Sequence, residues 1–229
     1  MNIYFLVEGK TEKKVYSKWI KQLLPQFVEV KHCDLAVNNH FILFNGRGYP
    51  NLLFQPLSDS IKDINDRSNY DYLVLCLDVD DETQAIREQY INECLEEKND
   101  KLNPSTQLVV IYQNKCIETW FLGNREFVDP TPSIPQLSEY IQHFIVRDDD
   151  PEEMSKPGDF VGSIARFHGE YFKLICKERN SNYSKTHTGV VTEKTSLDEL
   201  KARFNDTEPH HIASFGRFLR FCETINQTT

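Results

Sequence analysis

The sequence predicts an α/β fold: a mainly parallel sheet flanked by helices, followed by a helical C-terminal extension. Three observations carry this. Apolar runs of strand length recur at 3–7, 72–77 and 108–111 with helical segments between them, the βαβα order that builds parallel sheets. The run Tyr72-Leu73-Val74-Leu75-Cys76-Leu77 is apolar throughout, as a central strand covered on both faces must be. Beyond about residue 124 strand patterns stop, and Pro-rich connectors and helical periodicity replace them.

Taken in order, residues 3–7 form a strand. Thr11 is the expected cap of a helix running to about Leu24, where Pro25 stops it, and Val15, Trp19 and Leu23 share one face at four-residue spacing. Residues 27–31 and 41–44 read as short strands, Gly46-Arg47-Gly48-Tyr49-Pro50 as a turn, and 51–65 as a helix. After the strand at 72–77 comes a charged amphipathic helix at 82–98 with Asp81 as its expected cap. The strand at 108–111 then leads to a short helix over 116–122. The connector Asp129-Pro130-Thr131-Pro132-Ser133-Ile134-Pro135 and the acidic loop Asp148-Asp149-Asp150-Pro151 punctuate the remainder, with helices near 134–144, 159–176, 196–204 and 213–225. The polar stretch 179–195 reads as a loop. The expected division is a core at 1–124 and a helical extension at 125–229 packed on it.

Composition narrows the class. Of the 229 residues, 39% are hydrophobic, with 15 Phe and 10 Tyr, ample for a packed core. The first residues lack a charged leader, and no run approaches the roughly 18 apolar residues of a membrane span. Six cysteines without a CxxC pair read as free thiols in a reducing cytoplasm rather than a zinc site. The net charge of −9 excludes a broadly basic nucleic-acid coat, yet it is uneven: residues 156–229 hold 11 basic against 9 acidic side chains, and 1–155 hold 15 against 26.

Part of the acidic excess sits where chemistry is expected. The first strand ends in Glu8-Gly9, with Glu12 four residues on, and the central strand ends in Asp78-Val79-Asp80-Asp81. Ligands of open α/β sheets bind at the carboxyl ends of strands. Like charges gathered there repel unless a cation lies between them, so the pattern points to a divalent metal. Glu12 also suits a helix N-terminus for dipole reasons alone. His210-His211 lack a matching ligand spacing and read as surface residues. Arg166, Lys173, Lys177 and Arg179, interleaved with Phe167, Tyr171 and Phe172, fit an ordinary amphipathic helix or a contact to a nucleic-acid backbone.

The segment Phe5-Leu6-Val7-Glu8-Gly9-Lys10-Thr11-Glu12, followed by Leu77-Asp78-Val79-Asp80, resembles the Toprim domain, the Rossmann-like metal-binding fold of topoisomerases, primases and OLD (overcoming lysogenization defect) nucleases. The resemblance covers residues 3–124 well and the rest loosely. It implies that Glu8 is the catalytic acid and metal ligand after strand one, that Asp78 and Asp80 form the DxD pair, and that Glu12 is the second acidic position of the OLD branch. Glu118 fits that branch's downstream Glu, while Cys116 stands where the branch has a small hydroxyl residue. Its catalytic Lys falls on Lys185, with Lys194 as runner-up.

The activity so implied is a Mg²⁺-dependent nuclease, with Mn²⁺ as a substitute, in which two ions flank an in-line phosphodiester displacement. DNA stands ahead of RNA as substrate. Short stand-alone bacterial Toprim-like proteins further imply antiviral defence in the cytoplasm beside a partner ATPase of the ABC/SMC-like type. The rival expectations are a non-catalytic Toprim-like subunit that binds an ATPase or nucleic acid, and a hydrolase of small phosphoesters. Oligomeric state is not readable from the chain.

Overall fold

The computed structural model describes residues 1–228. Five strands, β1 (Asn2–Val7), β2 (Val28–Glu29), β3 (His40–Asn45), β4 (Tyr72–Asp78) and β5 (Gln107–Gln113), make one all-parallel sheet in the order β2-β3-β1-β4-β5, flanked by helices in a Rossmann-like α/β arrangement. The expected fold class is therefore the observed one. Contacts divide the chain into two compact units: residues 1–78, 82–112 and from Arg220 on, and residues 79–81 with 113–219. The sequence-based boundary at 124 thus differs from the contact boundary at 112/113, and the end of the last helix belongs with the sheet.

In the first unit β1 is the centre. Its residues Ile3–Val7 are at most 1% exposed, because β3 and β4 pair with it on either side. Side chains alternate between the faces. Tyr4 stacks on Phe44 at 4.9 Å and its hydroxyl reaches Asp63 of helix α2 (Gln55–Arg67) at 3.4 Å. On the other face Phe5 and Tyr72 meet Phe221, midway along helix α9 (Ala213–Thr228), at 6.3 and 5.6 Å. Helix α1 (Lys10–Leu23) buries Val15, Tyr16, Trp19 and Ile20, the face that the four-residue spacing marks out, although Leu23 stays half-buried.

Two helix starts differ from expectation. Gly9, not Thr11, is the N-cap of α1, and Thr11 lies buried inside the first turn. Helix α3 (Gln84–Glu97) is capped by Thr83, whose hydroxyl accepts the Ile86 N–H at 3.3 Å. A cap must directly precede the first turn, and Asp81 lies too far upstream; its carboxylate takes the Ile164 N–H instead. Helix α3 is largely exposed, with only Arg87 and Ile91 buried.

The second unit is helical. Helix α4 (Ile117–Leu122) packs on α6 (Ile164–Glu178), and α5 (Pro135–His143), α7 (Gly189–Thr192) and α8 (Lys194–Asp206) complete it with the start of α9. Helix α6 begins at 164 rather than 159. Gly162 sits at φ 145°, a conformation that favours glycine, and the Ser163 hydroxyl then caps the helix by accepting the Arg166 N–H. Its Phe167, Tyr171 and Phe172 are buried, and Arg166 pairs with Glu170 at 2.8 Å, the pattern of an ordinary amphipathic helix. The polar stretch 179–195 is not all loop: it contains α7 and the start of α8. Arg203 is fully buried, its guanidinium donating to the carbonyls of Gly123, Val146 and Asp149, and burial lowers its pKa to about 10. His211 also receives a bond from Arg203 at 3.0 Å, so it is tied to that buried cation rather than lying on the surface.

Candidate functional site

The strand order creates the geometry. From β1 the chain leaves through α1 toward β2 on one side, and from β4 it leaves through α3 toward β5 on the other. Adjacent strands whose outgoing connections diverge form a topological switch point, the crevice where ligands of open α/β sheets bind. Val7 is in register with Cys76, so Glu8 follows β1 at the level where β4 is finishing, and Asp78 is the last residue of β4. Glu8 and Asp78 thus meet at the switch point.

Glu8 is half-buried, and its carboxylate is held at both oxygens. Oε1 accepts the Tyr49 N–H at 3.2 Å and Oε2 the Asp78 N–H at 3.0 Å. Its carbonyl also accepts the Gly48 N–H at 2.8 Å, so the turn after β3 wraps the end of β1. Glu12, 8% exposed, folds back over the N-terminus of α1: a Cβ at Gly9 would stand 2.6 Å from its Oε2. A side chain at position 9 would thus displace the Glu12 carboxylate from this position. Glu8, Glu12 and Asp78 together supply three carboxylates at the carboxyl end of β1 and β4. Cys76, in register with Val7, is fully buried, and burial pushes its thiol far up.

The other expected residues lie in the second unit. Asp80 adopts φ 54°, so the alternation of an extended strand ends at Val79, and its N–H bonds to the Lys115 carbonyl at 2.8 Å. Glu118 stands in the first turn of α4, where its Oε1 accepts the Tyr183 hydroxyl at 2.8 Å. Tyr183 in turn packs edge-on against Phe121 and Phe172, at 5.7 and 4.9 Å. Cys116 is 2% exposed and precedes α4, its N–H donating to Thr119 Oγ1 at 3.2 Å. That threonine hydroxyl also meets His168 Nδ1 at 2.8 Å, and burial lowers His168 to about 4. Lys185 is exposed at the tip of the tight turn closed by the Ser184–His187 bridge, two residues beyond Tyr183, and Lys194 is exposed at the first position of α8.

Three features escape the sequence reading: the Tyr49 peptide N–H on Glu8, the Tyr183 hydroxyl on Glu118 and the burial of Arg87. A backbone donor leaves no mark in residue identity. Arg87 did leave one, for it shares the i, i+4 face of α3 with Ile91, a core position where a charge is unexpected. Among the described residues no group of three or more His, Cys, Asp or Glu side chains is already arranged to hold a metal ion, and no helix is long and apolar enough to cross a membrane.

Fold and site together define a Rossmann-like α/β protein with an acidic switch point. The chain belongs to the family described as Domain of unknown function (DUF4276), which matches it over residues 7–206. No curated protein and no solved structure matches it.

Proposed function

We propose that this protein is a metal-dependent nuclease of the Toprim type, hydrolysing phosphodiester bonds of nucleic acid at the β1/β4 switch point. The observation that supports this best is the placement of Glu8 and Asp78 there, with the Glu8 carboxylate oriented by two backbone N–H groups. The donor set fits a hard cation by type, being carboxylate oxygen throughout. Glu8, Asp78 and Glu12 would hold Mg²⁺ or Mn²⁺, which supplies charge to activate water and to stabilise the phosphate oxygens. The two N–H bonds leave each Glu8 oxygen a further lone pair while fixing the direction in which it is presented. Gly9 leaves room for Glu12 to reach the same edge.

Asp80, Glu118 and Lys185 enter this reading through the Toprim resemblance, as do the finer expectations: DNA ahead of RNA, a cytoplasmic role in antiviral defence, and a partner ATPase. The second reading, a non-catalytic subunit that binds an ATPase or nucleic acid, draws support from the absence of a prearranged ligand group among the described residues and from the exposed position of Lys185.

Plasmid DNA and RNA incubated with purified protein in Mg²⁺ or Mn²⁺ separate the two. Cleavage that falls at least a hundredfold in Glu8→Ala and Asp78→Ala supports the nuclease. Cleavage indifferent to both substitutions removes the site assignment, and no cleavage in either metal, alone or with an ATPase, favours the binding subunit. Asp80→Ala, Glu118→Ala and Lys185→Ala, assayed alongside, show which of the second unit's residues contribute.

A further inference from the structure

The peptide that orients Glu8 is itself held by an arginine. Arg87 lies on α3, whose other residues, Ile91 apart, are exposed or half-buried, yet it is only 2% exposed. Its guanidinium carbon sits 3.5 Å from the centre of the Tyr49 ring, and its Nη1 is 3.2 Å from the Glu82 carboxylate. Burying a guanidinium is costly, and the nearby Glu82 carboxylate, its side chain 38% exposed, offsets part of that cost. A helix in need of anchorage alone is served better by Leu or Met at that position. What a guanidinium offers that those cannot is a flat cationic face to lay on an aromatic ring.

The ring it covers belongs to an irregular turn that backbone bonds tie to β1, Gly46 N–H to the Val7 carbonyl and Gly48 N–H to the Glu8 carbonyl, both at 2.8 Å. Arg47 and Gly48 take φ 68° and 86°, and Tyr49 belongs to neither β3 nor the short helical turn at Asn51–Leu53. From that segment the Tyr49 N–H reaches Glu8 Oε1. The path is thus short and physical: guanidinium face to Tyr49 ring, Tyr49 peptide to Glu8 carboxylate, Glu8 to the end of β4.

We propose that Arg87 is a positioning residue: by clamping the Tyr49 ring it sets the peptide N–H that orients Glu8, and so tunes the affinity of the Glu8–Asp78 carboxylates for a divalent cation. This rests on the reading of Glu8 and Asp78 as cation ligands. Arg87→Lys keeps the charge and loses the flat face, Tyr49→Leu keeps the peptide and loses the ring, and Arg87→Met keeps the bulk without either. Two measurements on the whole chain distinguish the steps: amide hydrogen exchange at position 49 without metal, and the rise in Tm on titration with Mn²⁺.

All three variants should exchange the position-49 amide about tenfold faster and need about tenfold more Mn²⁺ for the half-maximal Tm rise, with Glu8→Gln abolishing that rise. Tenfold corresponds to an interaction of about 1.4 kcal/mol, within reach of a desolvated cation–ring contact. If Arg87→Met matches wild type in both measurements, Arg87 only fills space and the proposal is overturned. Faster exchange with an unchanged Mn²⁺ response overturns the link from clamp to cation. A wild-type chain that ignores Mn²⁺ overturns the cation reading itself, and the exchange rates then decide the clamp alone.

Discussion

Ser214 is the place where one missing atom should cost the second unit most. Its Oγ donates to Glu152 Oε1 at 2.5 Å and accepts the Trp120 indole N–H at 2.6 Å and the Asn114 N–H at 3.1 Å. Ser214, Trp120 and Glu152 are all buried, so water does not readily replace the hydroxyl. Ser214→Ala removes a hydrogen bond to a carboxylate, which is worth about 1.5–3 kcal/mol, and leaves a buried indole donor unpaired, costing about 1–3 kcal/mol more. The half-buried Asn114 N–H can turn to water and adds little. The expected loss is therefore about 3–5 kcal/mol, or a Tm lower by about 10 °C in a chain of this size. Urea unfolding followed by tryptophan fluorescence measures it. Trp120→Phe in the Ser214→Ala background removes the orphaned donor, so the two losses should couple by about 1 kcal/mol or more rather than add. A loss under about 1 kcal/mol, or strict additivity, refutes the network as described.

Two further outcomes test the same unit. His168 Nε2 faces the Met154 carbonyl at 3.1 Å, so Nε2 carries a hydrogen, while Nδ1 meets the Thr119 hydroxyl at 2.8 Å, which serves a neutral ring as donor. Burial takes its pKa from 6.5 to about 4, so its contribution to stability is complete above pH 6.5 and is lost as pH falls to about 4. At about 1.4 kcal/mol per tenfold change in proton affinity, that loss totals about 3 kcal/mol. Glu152, raised by burial, has the opposite sign, its contribution being lost as pH rises, so the difference between wild type and His168→Gln in urea midpoints from pH 7 to 4.5 isolates the histidine. Equal slopes would refute its neutral state. Gly216→Ala should destabilise by about 1–3 kcal/mol despite alanine's better helix propensity, because the added Cβ would stand 2.1 Å from the Phe204 ring; a raised Tm would show that the ring gives way.

How far the molecule was legible follows from the range over which each feature is encoded. β1 and β4 are written in contiguous apolar runs, and the acids that end them stand next to those runs, so Glu8 and Asp78 could be singled out from local pattern alone. The strand order could not, since it depends on β3 pairing beside β1, and with it the fact that these two acids share a switch point. Helix starts failed at Thr11 and Asp81 for a narrower reason: several polar residues precede each helix, and only the one with extended backbone at the boundary caps it. Tyr49 and Tyr183 act on acids 41 and 65 residues away, through a peptide N–H in one case and a buried hydroxyl in the other. No spacing rule connects such partners. Lys185 stands in a polar stretch without periodicity, where no local pattern fixes a role, and it is exposed.

The packing of α9 also constrains when the protein can fold. β1 is made well before α9, yet the face of β1 that carries Phe5 is finished by Phe221 of that helix. Vectorial synthesis therefore delivers the sheet long before its covering. Until α9 has been synthesised the nascent sheet keeps Phe5 and Tyr72 without their final aromatic neighbour, and over that interval the chain most needs protection from its own apolar surface.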